Sequence, residues 1–332
     1  MIGSFPTTRH RRLRQSPGVR KLVAETALIN SDLILPVFIR EDDDATQNVP
    51  YPGFYHYAIY ELKELSEKAS ALGISALMLF PIISSDKKDP FGLESTNPNN
   101  LLIRALNVLK SYDLPLGIWA DVALDPYTTH GHDGIIIDNK IDNDTTINKL
   151  IDLTLLLAKH GVDAICPSDM MDGRVSHLRS ALDANGFQDT LIVSYTAKYA
   201  SCFYGPFRNL LGVRALEGPS DKKTYQMDYA NVKEALHEAA FDVQEGADML
   251  IVKPGLPYLD VITKMANMYS TPVLGYQVSG EYVMVKSAAK EGYLDEKLAF
   301  LEMCMAFKRA GARAIITYAA IEIAEWLTSH NE

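Results

Sequence analysis

Two lysines in this chain stand where an amine can act as a nucleophile. The first closes an apolar strand: in GADMLIVKPGLPYLD, Gly246 to Asp260, the run ends on Lys253 and is stopped by Pro254 and Gly255. Met249 to Val252 has the uninterrupted, β-branched character of a strand buried on both faces, as in a parallel sheet. Open α/β sheets and β/α barrels place their chemistry at the carboxyl ends of such strands. An apolar surround disfavours the ammonium form, so the pKa falls and a neutral, nucleophilic amine becomes available. On this stretch alone, a lysine that snorkels to solvent at a strand end is an equally open reading.

A second lysine occupies the matching place on another strand. Ile192, Ser194, Thr196 and Lys198 are expected to alternate onto one face, as Met249, Ile251 and Lys253 do. Neighbouring strands lie roughly 5 Å apart, so both amines can project into one barrel mouth. Two ammonium groups that close repel, and each depresses the pKa of the other. That is the condition for one or both to attack a ketone and form a Schiff base. Structural needs alone give no reason to bury two lysines on adjacent strand ends, which favours function.

The elements that must hold these amines are legible as alternation. Leu33 to Ile39, Ala76 to Phe80, Leu116 to Asp121, Asp163 to Cys166, Leu191 to Tyr195, Met249 to Val252, Pro272 to Gly275 and Ala314 to Tyr318 read as strands. Pro36 inside the first counts against a central position for it. Helical patterns fall between them, at Glu61 to Leu72, Asn100 to Leu109, Thr146 to His160 and Tyr229 to Gln244. Eight short apolar strands alternating with helices predict a (β/α)8 TIM barrel, residues 31–332, behind an N-terminal arm, residues 1–30. The longest gap runs from Ala200 to about Asp248, and a long loop there predicts an active-site lid.

Composition narrows the partners. With 332 residues, 47% of them hydrophobic, the chain can bury a barrel-sized core, and a net charge of −10 argues against a general nucleic-acid binder. No apolar run reaches the roughly 18 residues a membrane span needs. Cys166, Cys202 and Cys304 lie far apart and cannot all pair, which fits a reducing cytosol. The arm is basic, with Arg9, Arg11, Arg12, Arg14, Arg20 and Lys21 and no acid before Glu25. A transit peptide and an arm that docks on an acidic neighbouring subunit both suit that composition. Because the segment runs directly into structured sequence, the second reading is preferred, and with it a homo-oligomer.

Longer motifs carry a resemblance. SYTAKYASCFYGPFR around Lys198, MLIVKPGLPYLD around Lys253, CPSDMMDGR from Cys166 to Arg174 and YQVSGEY from Tyr276 to Tyr282 resemble the porphobilinogen synthase, or 5-aminolevulinate dehydratase, family over essentially the whole chain. The resemblance implies asymmetric condensation of two 5-aminolevulinate molecules into porphobilinogen with loss of two waters, in tetrapyrrole and heme biosynthesis, by a cytoplasmic homo-octamer. It implies Schiff bases at Lys253, for the substrate that gives the propionate side, and at Lys198, for the other. Arg208 and Lys223, with Gln226 beside them, would clamp one substrate carboxylate from the lid, while Ser279 and Tyr318 take the other. Without the resemblance, Arg208 and Lys223 read as ordinary solvated loop cations. A class I aldolase-like enzyme would need only one such lysine, and a non-catalytic barrel serving as a binding or structural protein would be expected to lack one of them.

Metal expectations rest on the same resemblance. Ala123, Asp125 and Asp133 stand where zinc-dependent members carry cysteines, so no catalytic zinc is expected. Asp125 and Asp133 could instead take a hard or monovalent cation, or water. His130 and His132 look like ligands but are read as loop histidines, and Asp121 can assist proton transfer or simply pair with a lysine. The helix holding ALHEAAFDVQEGAD resembles that of magnesium-dependent members, in which the glutamate matching Glu238 helps hold a hydrated, allosteric Mg2+. Read alone, Glu234, His237 and Glu238 form a solvated polar face opposite Val232, Ala235, Leu236, Ala239, Ala240 and Val243.

Overall fold

A computed structural model describes residues 3–41, 54–206, 219 and 221–329. Eight parallel strands follow one another around a closed barrel: β1 (Leu33–Arg40), β2 (Ala76–Pro81), β3 (Gly117–Val122), β4 (Ala164–Pro167), β5 (Leu191–Lys198), β6 (Met249–Lys253), β7 (Val273–Gln277) and β8 (Ala314–Thr317). Closure is made by β8 against β1, with Leu33 opposite Ile315 and Ile34 opposite Ile316. The strands are almost wholly buried because helices cover them outside and side chains fill them inside, so their sequences read as continuous apolar runs.

Helices follow the strands: α1 (Leu62–Ala71), α2 (Leu101–Lys110), α3 (Asn143–Lys159), α4 (Arg174–Ala184), α5 (Lys233–Glu245), α6 (Leu259–Met268), α7 (Ser279–Lys290) and α8 (Glu296–Ala310) lie between successive strands, and α9 (Ala320–Thr328) follows β8. Their starts are set by short polar caps. Asn100 accepts from the Ile103 amide at 2.9 Å, Asp142 from Thr145 at 2.9 Å and Asp295 from Leu298 at 2.8 Å. Helix α5 begins at Lys233 and not at the expected Tyr229, because Asp228 accepts from the Ala230 amide at 2.8 Å and holds that stretch in a turn.

Pro36 is the other departure, since it sits within β1 of the closed barrel. The β1 ladder to β8 ends at Ile34, and pairing to a short extra strand, His56–Ala58, begins only at Phe38. Pro36 therefore falls in a gap between two ladders, where a missing N–H breaks nothing on that side. The basic arm forms two short helical segments, His10–Arg14 and Pro17–Leu22, with Phe5, Leu13 and Leu22 exposed. Among the described residues no helix is long and apolar enough to cross a membrane.

Candidate active site

Lys198 and Lys253 are direct neighbours across the β5–β6 pair. That register is not the one simple alternation gives. Ser194 lies opposite Leu250, yet Ala197 lies opposite Val252, so Tyr195 and Thr196 together face the single residue between them on β6. This is a β-bulge, and it shifts the phase of the strand. The expectation that Ser194 and Thr196 share a face with Lys198 is therefore corrected. Their hydroxyls point outward and donate to Asp242 on α5, at 2.8 and 2.6 Å, whereas Tyr195 reaches across the interior to Met78 and Lys198 turns inward. Sequence periodicity carries no mark of the extra residue.

The two amines have different surroundings. The Lys253 ammonium nitrogen sits over the rings of Tyr276, Tyr195 and Tyr204, with centroids at 4.3, 5.0 and 5.7 Å. Burial, followed by the charge of Lys198, pulls its pKa down to about 7, against the partial pull of Asp121 and Asp125. Its carbonyl is held by the Tyr199 amide at 2.9 Å and the Tyr204 hydroxyl at 3.0 Å. Gly255 is required just beyond, because a Cβ there would lie 2.2 Å from the Phe307 ring. Lys198 instead donates to Asp133 Oδ2 at 3.1 Å and to the Ser168 carbonyl.

Three carboxylates balance these amines. Burial pushes Asp133 up, but Lys198 and Lys222 outweigh it and hold the group well below the usual carboxylate range. Asp125 is raised by burial and by the charge of Asp133, with Lys222 working against both. Asp121 is raised to about 7 by burial, then by Asp125, while Lys198, Lys253 and a hydrogen bond from Ser168 pull it back. A carboxyl that titrates near neutrality beside two amines is suited to moving protons.

The segment returning from the long loop brings in a residue that sequence reasoning missed. Met227 donates its amide to the Lys198 carbonyl at 3.0 Å, and Ala200 donates to Met227 at 2.8 Å, so this segment bridges in parallel to Tyr199, just past the end of β5. From that root Lys222 is buried and donates to Asp133 at 2.7 Å and Asp125 at 3.4 Å, whereas Lys223 is exposed. Lys223, expected in the carboxylate clamp, therefore faces out and its neighbour Lys222 faces in, because the turn at Lys222–Tyr225 aims only the first lysine of the pair inward. Adjacent identical residues offer no signal for choosing between them. Gln226 is buried, and its Oε1 has no hydrogen-bond partner among the described residues. Arg208 lies outside the described residues.

His130 and His132 tie this root to the loop after β3. His130 Nδ1 accepts from the His132 amide at 3.1 Å, and its Nε2 lies 3.1 Å from the Pro90 carbonyl. His132 lies 3.0 Å from both the Tyr225 hydroxyl and the Pro219 carbonyl, and burial keeps its pKa below the ordinary value. Both rings are thus engaged as loop clasps.

On the far side of the mouth, Ser279 opens helix α7 and is fully buried, with its hydroxyl 3.4 Å from the Phe203 carbonyl. Glu281 fixes that turn: its two oxygens accept from the Val278 and Leu256 amides, each at 2.7 Å, joining the β7 end to the loop after Lys253. Tyr318 follows β8 and packs on Phe54 with centroids 4.5 Å apart, and burial keeps its hydroxyl protonated.

The metal candidates separate cleanly. Asp125 and Asp133 carry lysine partners, and Ala123 offers no ligand atom, so the trio does not fit a tetrahedral zinc site. Among the described residues no group of three or more His, Cys, Asp or Glu side chains could hold a metal ion. Glu238 lies on α5, outside the barrel, but not on a purely solvated face: its Oε1 pairs with the buried Arg174 at 2.9 Å. Arg174, the first residue of α4, supplies that partner, a contact that the α5 sequence by itself could not reveal. Glu238 still borders a surface depression with Glu234 and His237, an arrangement that fits one carboxylate holding a water-clad ion.

Acylation with an amine-selective reagent over a pH series, read by peptide mass spectrometry, tests these environments. Because the pKa of Lys253 lies near 7 and not at its ordinary 10.5, its neutral fraction and reactivity should rise through pH 7. In Lys198→Met the repulsion is gone and the midpoint should move to higher pH. A wild-type midpoint near 10 would contradict the site. In the same series Lys223 should label fast and Lys222 slowly.

A family model described as delta-aminolevulinic acid dehydratase matches residues 7–326. The chain is 44% identical over 321 residues to a delta-aminolevulinic acid dehydratase of Bradyrhizobium diazoefficiens, covering 96% of this chain and 90% of that one. It is 46% identical over 330 residues to a chloroplastic delta-aminolevulinic acid dehydratase of Glycine max, covering 98% and 80% respectively. Among solved structures it resembles delta-aminolevulinic acid dehydratase (porphobilinogen synthase) from Toxoplasma gondii ME49 in complex with the reaction product porphobilinogen, with a TM-score of 0.92, 46% identity and coverage of 97% and 92%. A match along nearly the whole length, in sequence and in fold, means that this chain belongs to the delta-aminolevulinic acid dehydratase family.

Proposed function

We propose that the chain is a porphobilinogen synthase, joining two molecules of 5-aminolevulinate into porphobilinogen with loss of two waters. The observation that carries this reading is the pair of buried lysines in register across β5 and β6, with titrating acids beside them. Lys253, partly neutral near pH 7, attacks the ketone carbon of one substrate; the oxygen leaves as water and a C=N bond remains. Lys198 acts on the second substrate in the same way once its proton passes to the site. Asp121 gives a proton to the departing hydroxyl and takes one back, a role supported by its rise to about 7.

Each substrate also carries a carboxylate to be held while its ketone reacts. Lys222 and Gln226, whose side-chain amide N–H is the end able to donate to a carboxylate, line the side of the returning segment, and Arg208 belongs to the same clamp in this reading. On the other side, Ser279 at the amino end of the twelve-residue α7 and the protonated hydroxyl of Tyr318 are donors suited to an anion.

The reading extends to metals, compartment and assembly. Aspartates already neutralised by lysines argue for turnover without zinc. If Asp125 and Asp133 take a monovalent cation, Lys222 must first move away. Mg2+ would bind through water to Glu238 on the barrel's outer layer and act as an allosteric ion, since Lys253 lies at the mouth. Three free cysteines, two of them buried, suit a cytoplasmic enzyme.

Residues 1–30 act as an arm onto another copy, with 31–332 as the catalytic barrel, in a homo-oligomer that we take to be an octamer. A groove floored by Leu35, Phe38 and Phe54 and rimmed by Glu61, Glu64 and Glu322 could receive such an arm. Arg40 and Lys286 already pair with Glu61 and Glu322, so charge alone gives modest attraction. Burial of the arm's exposed Phe5, Leu13 and Leu22 would supply the larger share.

Purified protein should convert 5-aminolevulinate to porphobilinogen in a colorimetric assay, and a zinc-selective chelator should leave turnover intact. Borohydride reduction during turnover should leave adducts on Lys198 and Lys253. Inhibition by the chelator that zinc alone reverses would disprove zinc independence. A label persisting on some third lysine in both Lys198→Met and Lys253→Met would disprove the assignment of the amines.

The magnesium reading has its own test. An ion that binds only the active assembly stabilises it by about 2.7 kcal/mol at a hundredfold excess over its dissociation constant, enough to shift a balanced equilibrium almost completely. Glu238→Gln keeps an oxygen for Arg174 but loses the charge, so it should abolish stimulation by Mg2+ and its effect on assembly size in ultracentrifugation. A mutant with an unchanged half-maximal Mg2+ concentration would place the ion elsewhere.

A further inference from the structure

Outside the barrel, behind Lys198, lies a buried charged cluster that the chemistry above does not use. Arg174 is 1% exposed, and Asp242 and Asp169 are buried beside it. These groups converge on the bulge of β5. Asp242 Oδ2 accepts from the Ser194 hydroxyl at 2.8 Å and the Thr196 hydroxyl at 2.6 Å, one on each side of Tyr195. Arg174 Nη2 donates to the Ser194 hydroxyl at 3.1 Å and to the Tyr195 carbonyl at 3.1 Å. The extra residue is therefore gripped at both flanks and at its own carbonyl, which turns toward α4 and α5.

The bulge decides where Lys198 points. With Ser194 opposite Leu250, an unbroken ladder would bring Lys198 opposite Pro254, and strict alternation would turn its side chain to the same outer face as Ser194 and Thr196. One extra residue reverses that phase, sets Lys198 opposite Lys253 and sends its amine inward to Asp133 and Ser168. Buried charges have a high desolvation cost, and this cluster is well placed to give conformational specificity in return.

We propose that Arg174 and Asp242 are positioning residues for Lys198: by gripping the bulge at Tyr195 and Thr196 from outside the barrel, they fix the phase of β5 that aims the amine into the active site. The inference rests on the reading that Lys198 reacts during turnover, and it adds a cause for its orientation. Asp169 braces the arrangement from the β4 side, with its Oδ2 3.7 Å from Arg174 Nε.

Thr196→Val removes one grip without leaving a new charge, and Thr196→Ser restores the hydroxyl. In Thr196→Val, kcat should fall by about tenfold or more, the scale expected when a reacting group is misplaced. Borohydride adducts from 5-aminolevulinate should fall on Lys198 relative to Lys253, whereas Thr196→Ser should keep both the wild-type ratio and the rate. Acylation without substrate gives an independent reading, because Lys198, protected in the wild type, should label faster in Thr196→Val. Asp242→Asn, close in volume, should shift the adduct ratio in the same direction and decides the matter if Thr196→Val does not fold. A merely structural role would lower the melting temperature and leave the adduct and acylation ratios unchanged. Folded variants with wild-type ratios and kcat would overturn the proposal. An absence of Lys198 adduct in the wild type would defeat the Schiff-base reading instead, and the acylation contrast would still decide whether the cluster aims the amine.

Discussion

Burying amines next to one another without burying their repulsion is the constraint on which the mouth of this barrel depends. Among the described residues Lys198, Lys222 and Lys253 meet Asp121, Asp125 and Asp133 there, three potential cations against three potential anions. The balance is uneven by design of place. Asp133 takes the charges of Lys198 and Lys222 and stays ionised, while Lys253 sits over the aromatic faces of Tyr276, Tyr195 and Tyr204. Lys253 and Asp121 are both drawn toward 7 from opposite directions, so the last proton in the cluster is cheap to move. A site that must take up and release protons at two carbonyls gains from such near-degeneracy.

The aspartates after β3 counter the charge of buried lysines. Thiolates at those positions would bring negative charge that a zinc ion neutralises. Carboxylates bring the same charge, and here lysines from β5 and the returning segment neutralise it. The loop after β3 and the segment at Lys222–Tyr225 are thereby held together electrostatically, with His132 and Tyr225 adding a hydrogen-bonded clasp.

Much of this was legible in the residues, and the failures have physical causes. Each barrel strand carries its signal locally, as an apolar run bounded by turn residues, so all eight could be read; Lys198 and Lys253 stood out because charge at the end of such a run is costly. Pro36 misled because a proline's cost depends on whether a ladder exists beside it, which only closure of β1 on β8 decides. The faces of β5 were misassigned because an inserted residue leaves composition unchanged while reversing phase. Lys222 and Lys223 could not be told apart until the turn that separates them was known. Glu238 looked solvated because its partner, Arg174, lies far away in sequence.

The bulge in β5 also bears on how such a site can arise. In a repeating βα architecture, neighbouring strands start in equivalent phase, and point substitutions can only exchange the side chains already facing in. Adding a single codon does something substitutions cannot: every later position in that strand changes sides at once, and a residue that had faced the helices faces the cavity. A barrel with one inward amine is then one small insertion away from a barrel with two, provided the outer layer already holds polar groups able to accept the displaced backbone. Two-substrate chemistry would in that case owe its origin to a frame-preserving length change in a strand, an event usually counted as damage.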